Sequence, residues 1–203
     1  MNNLFCAAGS KKSSVVVALD LTAAFDTISH SHLLARLSSH FGLTDCVLGW
    51  VESYLSERTQ YVKVGEEISE VTRVHSGVPQ GLVLGPLLFT LYISPVERLI
   101  NSFGSKHQQY ADDNTLYTIL DLSNPSSIDN LQACTQAVNI WFLANNMQLN
   151  PNKTEAIPVG TRQQLDKALA SSIKVAGADV QLADRLKLLG ATVDRQMFNL
   201  LID

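Results

Sequence analysis

The chain is poor in basic residues for its length of 203: 15 Lys and Arg stand against 19 Asp and Glu, giving a net charge of −4. Affinity for nucleic-acid phosphates comes mainly from Lys and Arg. The composition therefore argues against a free-standing nucleic-acid-binding protein. Either the partner is not a nucleic acid, or the basic surfaces that bind it lie on segments outside this sequence. We expect weak nucleic-acid binding by this chain alone.

Cysteine is also scarce. Cys6, Cys46 and Cys134 are far apart and form no Cys-x-x-Cys pair, which argues against a disulfide framework or a zinc site. The N-terminal residues lack the basic stretch and following apolar run of a signal peptide. The longest apolar stretch, 82–96, is broken by Gly and Pro and is shorter than the about 20 residues that cross a bilayer. We expect an intracellular protein of the nucleus or cytoplasm, not secreted and without a membrane partner.

Hydrophobic residues make up 46% of the chain and charged residues 17%, which is typical of a globular protein with a sizeable core. The apolar periodicity predicts an α+β fold with helices packed on an antiparallel or mixed sheet. Strands are predicted at 15–21, 153–159 and 186–193, a strand–turn–strand unit at 108–120, and hairpins around Gly65 and Gly177. Helices are predicted to begin at the capping residues Ser31, Thr44, Asn124 and Thr161. Gly42 is predicted to end the first of these helices, and the last is a short helix over 161–170. A further helix is predicted to carry Pro86 in its first turn.

Three carboxylates fall at the ends of these predicted strands. Asp20 ends the apolar run 15–19, and Asp112 and Asp113 occupy a tight turn between two apolar runs. Adjacent Asp side chains repel each other, and a bound cation relieves that repulsion. Carboxylates that converge from two strand ends are what a two-metal phosphoryl-transfer site needs. Taken alone, Asp20 is at least as well explained as a turn or cap residue.

Other candidate residues also have ordinary structural explanations. Phe25, five residues after Asp20, fits a core position better than a ligand contact when taken alone. Gln80 lies in a loop rich in Gly and Pro, where it is either solvated or bonded to a substrate. Lys153 follows a turn and is either a surface residue or a proton donor near a leaving group. The histidines show no i,i+4 ligand pattern and receive no metal role.

Five segments, in this order, resemble motifs A to E of reverse transcriptases. The first two are most similar to those of non-LTR (LINE-type, jockey-like) retrotransposons. The resemblance covers roughly 15–194. The segments are Leu19–His30 for motif A, Ser76–Gly81 continuing through Leu84–Phe89 for motif B, Tyr110–Asp113 for motif C, Asn150–Glu155 for motif D, and Leu188–Gly190 for motif E.

The resemblance implies a polymerase palm subdomain and a set of residue roles. It implies two Mg²⁺ ions, or Mn²⁺, with an RNA template, a DNA primer and dNTPs as partners in the complete enzyme. Lys153 would be the general acid, and Phe25 the steric gate against a ribose 2′-OH. The implied metal ligands are Asp20, Asp112, Asp113 and the Leu21 carbonyl; the nucleotide-binding residues are Leu21, Ala24, Phe25, Gln80 and Gly81; and the primer grip is Leu188, Leu189 and Gly190.

The chain departs from this family at two motif positions and in its last segment. Leu82 stands where this group usually has Ser, and Asn114 stands where it usually has Thr. The segment 195–203 no longer follows the family, so we divide the chain into a polar segment 1–14, a palm domain 15–194 and a divergent tail 195–203. The finger motifs, with the basic residues that hold the triphosphate, and the thumb are not recognisable, which would account for the acidic composition.

These observations predict the palm of an RNA-directed DNA polymerase, a truncated copy that does not polymerise DNA alone. Two alternatives stay open. A decayed or co-opted palm would act only as a binding module, and Leu82 together with the missing fingers favours it. A different two-metal palm enzyme, such as a nucleotide cyclase, would not account for the motif B and motif D segments.

Overall fold

The computed structural model describes residues 13–79, 83–121, 123–168 and 170–196, together with the backbone of 201–202. Its strands confirm the predicted α+β class with antiparallel pairing. They are β1 Ser13–Leu19, β2 Leu21–Thr22, β3 Thr59–Gln60, β4 Lys63–Val64, β5 Glu67–Ile68, β6 Thr72–Arg73, β7 Lys106–Tyr110, β8 Asp113–Leu120, β9 Gln148–Leu149, β10 Glu155–Val159, β11 Ser172–Val175, β12 Ala178–Gln181, β13 Arg185–Leu188, β14 Ala191–Asp194 and β15 Leu201–Ile202.

A four-stranded antiparallel sheet in the order β10-β1-β8-β7 forms the centre of the molecule. The β-branched run of β1 lies between two partners, with Val16 opposite both Tyr117 and Ile157. Because side chains alternate across a strand, Val15 and Val17 point to one face and Val16 to the other. Val15 and Val17 are fully buried and Val16 is 3% exposed, which confirms the predicted strand buried on both faces.

Helices cover the face of the sheet to which Val15 and Val17 point. Ser29, and not the predicted Ser31, caps the first helix, because its side chain accepts the backbone N–H of His32. Gly42 ends that helix with φ 68°, as predicted. The last helix stops at Leu165 after a capping box at Thr161, five residues before the predicted end. The helices are α1 His30–Phe41, α2 Asp45–Leu55, α3 Leu84–Ile93, α4 Val96–Ser102, α5 Pro125–Ala144 and α6 Arg162–Leu165.

A hairpin of β13 and β14 lies over part of the opposite face. Leu186 joins Val16, Ile157 and Val159 in a small buried cluster between the hairpin and the sheet. The predicted single strand 186–193 was therefore wrong. Leu189 (φ 49°) and Gly190 (φ 82°) form a two-residue turn of the kind that reverses a strand, and the apolar alternation continued across it.

A half-buried arginine, which the sequence did not suggest, links three helices. The Arg36 guanidinium lies 4.8 Å from the ring centre of Tyr92 and 5.4 Å from that of Trp141. It donates to the Tyr92 carbonyl and, at 2.6 Å, to Oδ1 of Asn145, and burial lowers the pKa of Arg36. Asn145 caps the end of α5, so these contacts fix the point from which the chain enters β9.

Candidate functional site

A cavity of about 390 Å³ lies on the part of the sheet face next to the β13–β14 hairpin. It brings together residues from four of the five predicted motifs. Asp20, Asp112 and Asp113 line it from the strand ends, Lys153 from the following turn, and Leu188 and Leu189 from the hairpin. Residues more than 160 positions apart in the chain thus share one wall.

The turn 150–154 holds the backbone of Asp20 in place. Asn150 donates its N–H to the Asp20 carbonyl at 2.8 Å, and the Asp20 N–H lies 3.4 Å from Oγ1 of the buried Thr154. Leu21 then pairs with Leu149. Since hydrogen-bonded and non-hydrogen-bonded pairs alternate in an antiparallel ladder, the Leu21 carbonyl points away from β9. Leu21 itself is only 9% exposed in the main core and is not part of the cavity wall.

Asp112 and Asp113 sit where β7 turns into β8. Tyr110 pairs with Asp113, so Ala111 and Asp112 form a two-residue turn, with Ala111 at φ 51°. Burial, followed by the negative charges of Asp112 and Asp20, raises the pKa of Asp113. Asp112 and Asp20 are therefore both close enough to Asp113 to act on its carboxyl group.

Three polar side chains hold this turn from the helix-covered face. Asn114, only 2% exposed, donates its amide N–H to the Asp112 carbonyl at 2.8 Å. Its amide oxygen lies 3.0 Å from Nε2 of His107, and Gln109 donates to the Ala111 carbonyl at 3.2 Å. Burial lowers the pKa of His107. Sequence reasoning missed His107 and Gln109. They are two residues apart on β7, so their side chains lie on the same face of the sheet as Asn114 on β8, and that spacing was a usable signal.

Lys153 and the hairpin tip both line this cavity. Lys153 is exposed in the turn that leads to β10. Leu189 is 57% exposed at the hairpin tip, so more than half of this apolar residue is in contact with solvent. Gly190 forms the turn with Leu189 and is not part of the cavity wall.

Three predicted nucleotide-binding residues, Leu21, Ala24 and Phe25, do not line this cavity. Ala24 is 5% exposed within the main core. Phe25 packs against the same core, its ring centre 5.0 Å from that of Phe89. The structure thus gives Phe25 a packing role, and its role as a gate stays a prediction. Gln80, Gly81 and Leu82 lie outside the described residues.

The backbone of the motif B segment is bonded to the turn of motif A. Val78 donates to the Phe25 carbonyl and Gly77 to the Ile28 carbonyl, both at 2.8 Å. Gly77 has φ 87°, and a Cβ at this position would lie 2.9 Å from the Cα and the carbonyl oxygen of Asp26. Only glycine fits without a shift of one backbone relative to the other.

An open groove of about 1020 Å³ runs beside this junction. Arg58, Arg73 and His75 line it, and Asp26 is the one acidic residue that the described part of its wall contains. Arg58 lies over the Tyr54 ring at 4.4 Å. Neither arginine forms an ion pair with any residue that the structure describes. The acidic chain therefore has a locally cationic edge next to Gly77.

The donor chemistry of the cavity fits a hard divalent cation, which prefers carboxylate and carbonyl oxygens. Within the described ranges, however, no group of three or more His, Cys, Asp or Glu side chains is arranged to hold a metal ion. Mutual repulsion is a sufficient reason for metal-free carboxylates to stay apart, and it is the repulsion that contributes to the raised pKa of Asp113. Separately, none of the helices described is long and apolar enough to cross a membrane.

Comparison with known proteins gives one family. Residues 3–193 match the family model described as "Reverse transcriptase (RNA-dependent DNA polymerase)". The RNA-directed DNA polymerase from mobile element jockey of Drosophila melanogaster is 28% identical over 193 residues, covering 93% of this chain and 20% of the relative. The Pol polyprotein from type-1 retrotransposable element R2 of Popillia japonica is 28% identical over 160 residues, covering 74% and 25%. The chain thus spans a fifth to a quarter of the length of these relatives.

Solved structures give the same fold at low sequence identity. Apo telomerase from Candida tropicalis, truncated from its C-terminal domain, superposes with a TM-score of 0.68 at 14% identity, covering 100% of this chain and 38% of that one. Telomerase from the same organism in complex with a fragment of telomeric RNA gives 0.65 at 13% identity, covering 100% and 31%. At these identities the likeness shows the fold alone.

Proposed function

Because this chain belongs to the reverse transcriptase family and has the polymerase palm fold, we propose that it supplies the catalytic palm of an RNA-directed DNA polymerase. Its curated relatives are the polymerases of non-LTR retrotransposons, and we assign it to an element of this type. The reaction would transfer a nucleotide from a dNTP to a primer 3′-hydroxyl on an RNA template.

One observation carries this proposal: the carboxylates of the two strand ends line the same cavity as Lys153 and the β13–β14 hairpin. A purely structural explanation is weaker for Asp113, because burial and the negative charges of Asp112 and Asp20 disfavour its ionised form. Phosphoryl transfer depends mainly on positioning and charge stabilisation. The cavity wall offers both, because it combines acidic side chains with the apolar hairpin residues that would support the primer.

Asp20, Asp112 and Asp113, together with the Leu21 carbonyl, would hold two Mg²⁺, and Mn²⁺ would serve in their place. Such ions activate the attacking hydroxyl and neutralise charge on the transferred phosphate. The chain's own contribution is to place the three carboxylates on the wall of one cavity, with the Asp20 backbone fixed by Asn150 at 2.8 Å. The carboxylates would have to draw together on binding.

Other residues of the cavity would orient the reactants. Lys153 would donate a proton to the leaving pyrophosphate, a role consistent with its place on the cavity wall. Leu188 and Leu189 would support the primer end through apolar contact. The template strand would pass the cationic groove of Arg58 and Arg73, since unpaired arginines bind phosphates.

The test is primer extension on an RNA template with Mg²⁺, comparing the 203-residue chain with a polymerase that contains it. Extension by the longer polymerase, lost with Asp112→Asn, would support the proposal. Extension by the short chain would contradict our expectation that it is inactive alone. If strand binding persists in a longer polymerase that never extends a primer, the chain is a binding module instead.

Removing one charge should stabilise the metal-free fold. Because the pKa of Asp113 is raised in the folded state, ionisation of its carboxyl group lowers the free energy of unfolding. This loss of stability is absent below the unfolded-state pKa and is fully present once the pH exceeds the folded-state pKa. We expect Asp113→Asn to raise Tm by about 1–3 °C at pH 7, because partly exposed charges interact by less than about 1 kcal/mol. The gain should shrink as the pH falls toward about 4.

Mg²⁺ should reverse the order of the two Tm values, so that the native chain melts at a higher temperature than Asp113→Asn. The cation would stabilise the native chain by mass action and stabilise Asp113→Asn less, so a thermal scan with and without Mg²⁺ measures both effects. Asp129→Asn, an exposed change on α5, is the matched control and should respond to neither. A native Tm that stays unchanged at millimolar Mg²⁺ would argue against the metal assignment.

Phe25 is proposed to select the sugar of the incoming nucleotide. We expect Phe25→Val in a polymerase that contains this chain to raise incorporation of ribonucleotides relative to deoxynucleotides, since the smaller side chain leaves room for a 2′-OH. Competition between rNTP and dNTP in primer extension measures the ratio. An unchanged ratio with a lower Tm would leave only the packing of Phe25 against Phe89.

A further inference from the structure

Both peptide carbonyls of the carboxylate turn are bonded to side chains from the opposite face of the sheet. The Asp112 carbonyl accepts from Asn114 at 2.8 Å and the Ala111 carbonyl accepts from Gln109 at 3.2 Å. Gln109 and Asn114 are directly opposed in the β7–β8 ladder, so the turn is held from two neighbouring strands. The Asp113 side chain lies on the cavity side of the same hairpin.

His107 fixes which way the Asn114 amide points. The amide NH₂ donates to the Asp112 carbonyl, so the amide oxygen is left to face Nε2 of His107 at 3.0 Å. That nitrogen must then carry the proton, which defines the neutral tautomer. The buried Asn114 amide has one orientation, because both its nitrogen and its oxygen are hydrogen-bonded. If it were reversed, the amide oxygen would face the Asp112 carbonyl oxygen and the amide NH₂ would face the N–H of His107.

We propose that Asn114 and His107 are positioning residues that fix the Asp112 peptide, and through it the aim of the Asp112 carboxylate into the cavity. The inference rests on the proposed function, because it concerns the same site. Asp112 follows Ala111 at φ 51°, a left-handed conformation that is unfavourable for a residue other than glycine. Without the bond to its carbonyl, the turn can relax to other conformations.

The position of Asn114 in the structure explains why its chemistry matters. It is 2% exposed and its donor and acceptor atoms are separate, so one side chain reaches two partners. A threonine here has one oxygen for both roles, closer to the backbone, and cannot span from His107 to the Asp112 carbonyl. Leucine at 107 keeps the volume but leaves the Asn114 oxygen buried without a donor.

The test uses His107→Leu, His107→Gln and Asn114→Thr in a polymerase that contains this chain. We expect His107→Leu and Asn114→Thr to lower kcat about 10–100-fold, with KM for dNTP changed less than about twofold. His107→Gln should recover most of the loss, because its amide places an N–H donor near the Nε2 position. The double variant His107→Leu/Asn114→Thr should be no worse than Asn114→Thr alone, since both act through one bond.

A second measurement does not depend on activity: Mn²⁺ titration of the 203-residue chain. Loss of the positioning bond should weaken Mn²⁺ binding about 10-fold, whereas His40→Leu, on the exposed end of α1, should leave it unchanged. The proposed function itself would be contradicted if the native 203-residue chain does not bind Mn²⁺ and a longer polymerase with the native sequence does not extend a primer. Two results would overturn the positioning role alone. In the first, the native protein is active and binds Mn²⁺, and every variant has the same activity and affinity. In the second, His107→Leu and His107→Gln lose equal activity and their KM for dNTP rises as well.

Discussion

Asp112→Asn in a polymerase that contains this chain is expected to lower RNA-templated primer extension by about 10³-fold or more. A shared metal ligand contributes several kcal/mol of transition-state stabilisation, and each 1.36 kcal/mol is a factor of ten in rate. Asparagine keeps the size and one oxygen of the side chain but removes its charge. The loss should therefore appear in kcat, with dNTP binding changed far less.

The fold should survive this change. Asp112 is exposed at the turn, and the bond that holds its peptide is made by the backbone carbonyl, which Asn retains. A matched control is Asp121→Asn, at the other end of the same strand, whose carboxylate bonds Ser123 and lies outside the cavity. Full activity in Asp112→Asn, or an equal loss in Asp121→Asn, would contradict the assignment of the cavity as the active site.

The sequence predicted most of the regular elements because their signals are local. The apolar run 15–19, the double Asp between two strands and the Asn124 cap each specify an element without reference to the rest of the chain, and each was confirmed. The boundary at β13 and β14 failed for the same reason. Leu189 continues the apolar alternation, and nothing in a single sequence shows that it adopts a positive φ.

The site was predictable in part only. The convergence of Asp20 with Asp112 and Asp113 follows from strand ends meeting at one edge, which motif spacing can indicate. The contacts of Phe25 with Phe89 and of His107 with Asn114 depend on tertiary packing. Such contacts join residues whose types are ordinary in isolation, so no local pattern distinguishes them from other core or surface positions.

Gly77→Ala is expected to lower the free energy of unfolding by about 2–5 kcal/mol. An alanine at φ 87° would cost roughly 1–2 kcal/mol in backbone strain, and its Cβ would lie 2.9 Å from backbone atoms of Asp26. Overpacking of this kind costs typically 1–3 kcal/mol. The contact is with main chain on both sides, so no side chain can rotate away to relieve it.

Gly65→Ala separates the two contributions. Gly65 also has a positive φ, 63°, in the turn between β4 and β5, but a Cβ there meets nothing within 4 Å. It should therefore cost only the strain, about 1–2 kcal/mol, which corresponds to roughly 2–8 °C in Tm for a chain of this size. Urea unfolding of both variants gives the difference directly. Equal losses would show that the backbones near Gly77 move apart at no cost.

If they do move apart, the functional consequence should exceed the loss of stability. The bonds from Gly77 to Ile28 and from Val78 to Phe25, both 2.8 Å, set the distance between the motif B segment and the turn after Asp20. A displacement of about 1 Å at a reacting centre can cost roughly 100-fold in rate. We therefore expect Gly77→Ala to reduce primer extension about 100-fold at a temperature where it remains folded, and Gly65→Ala to retain native activity. Native rates in Gly77→Ala would mean that this junction supports the fold without positioning the nucleotide.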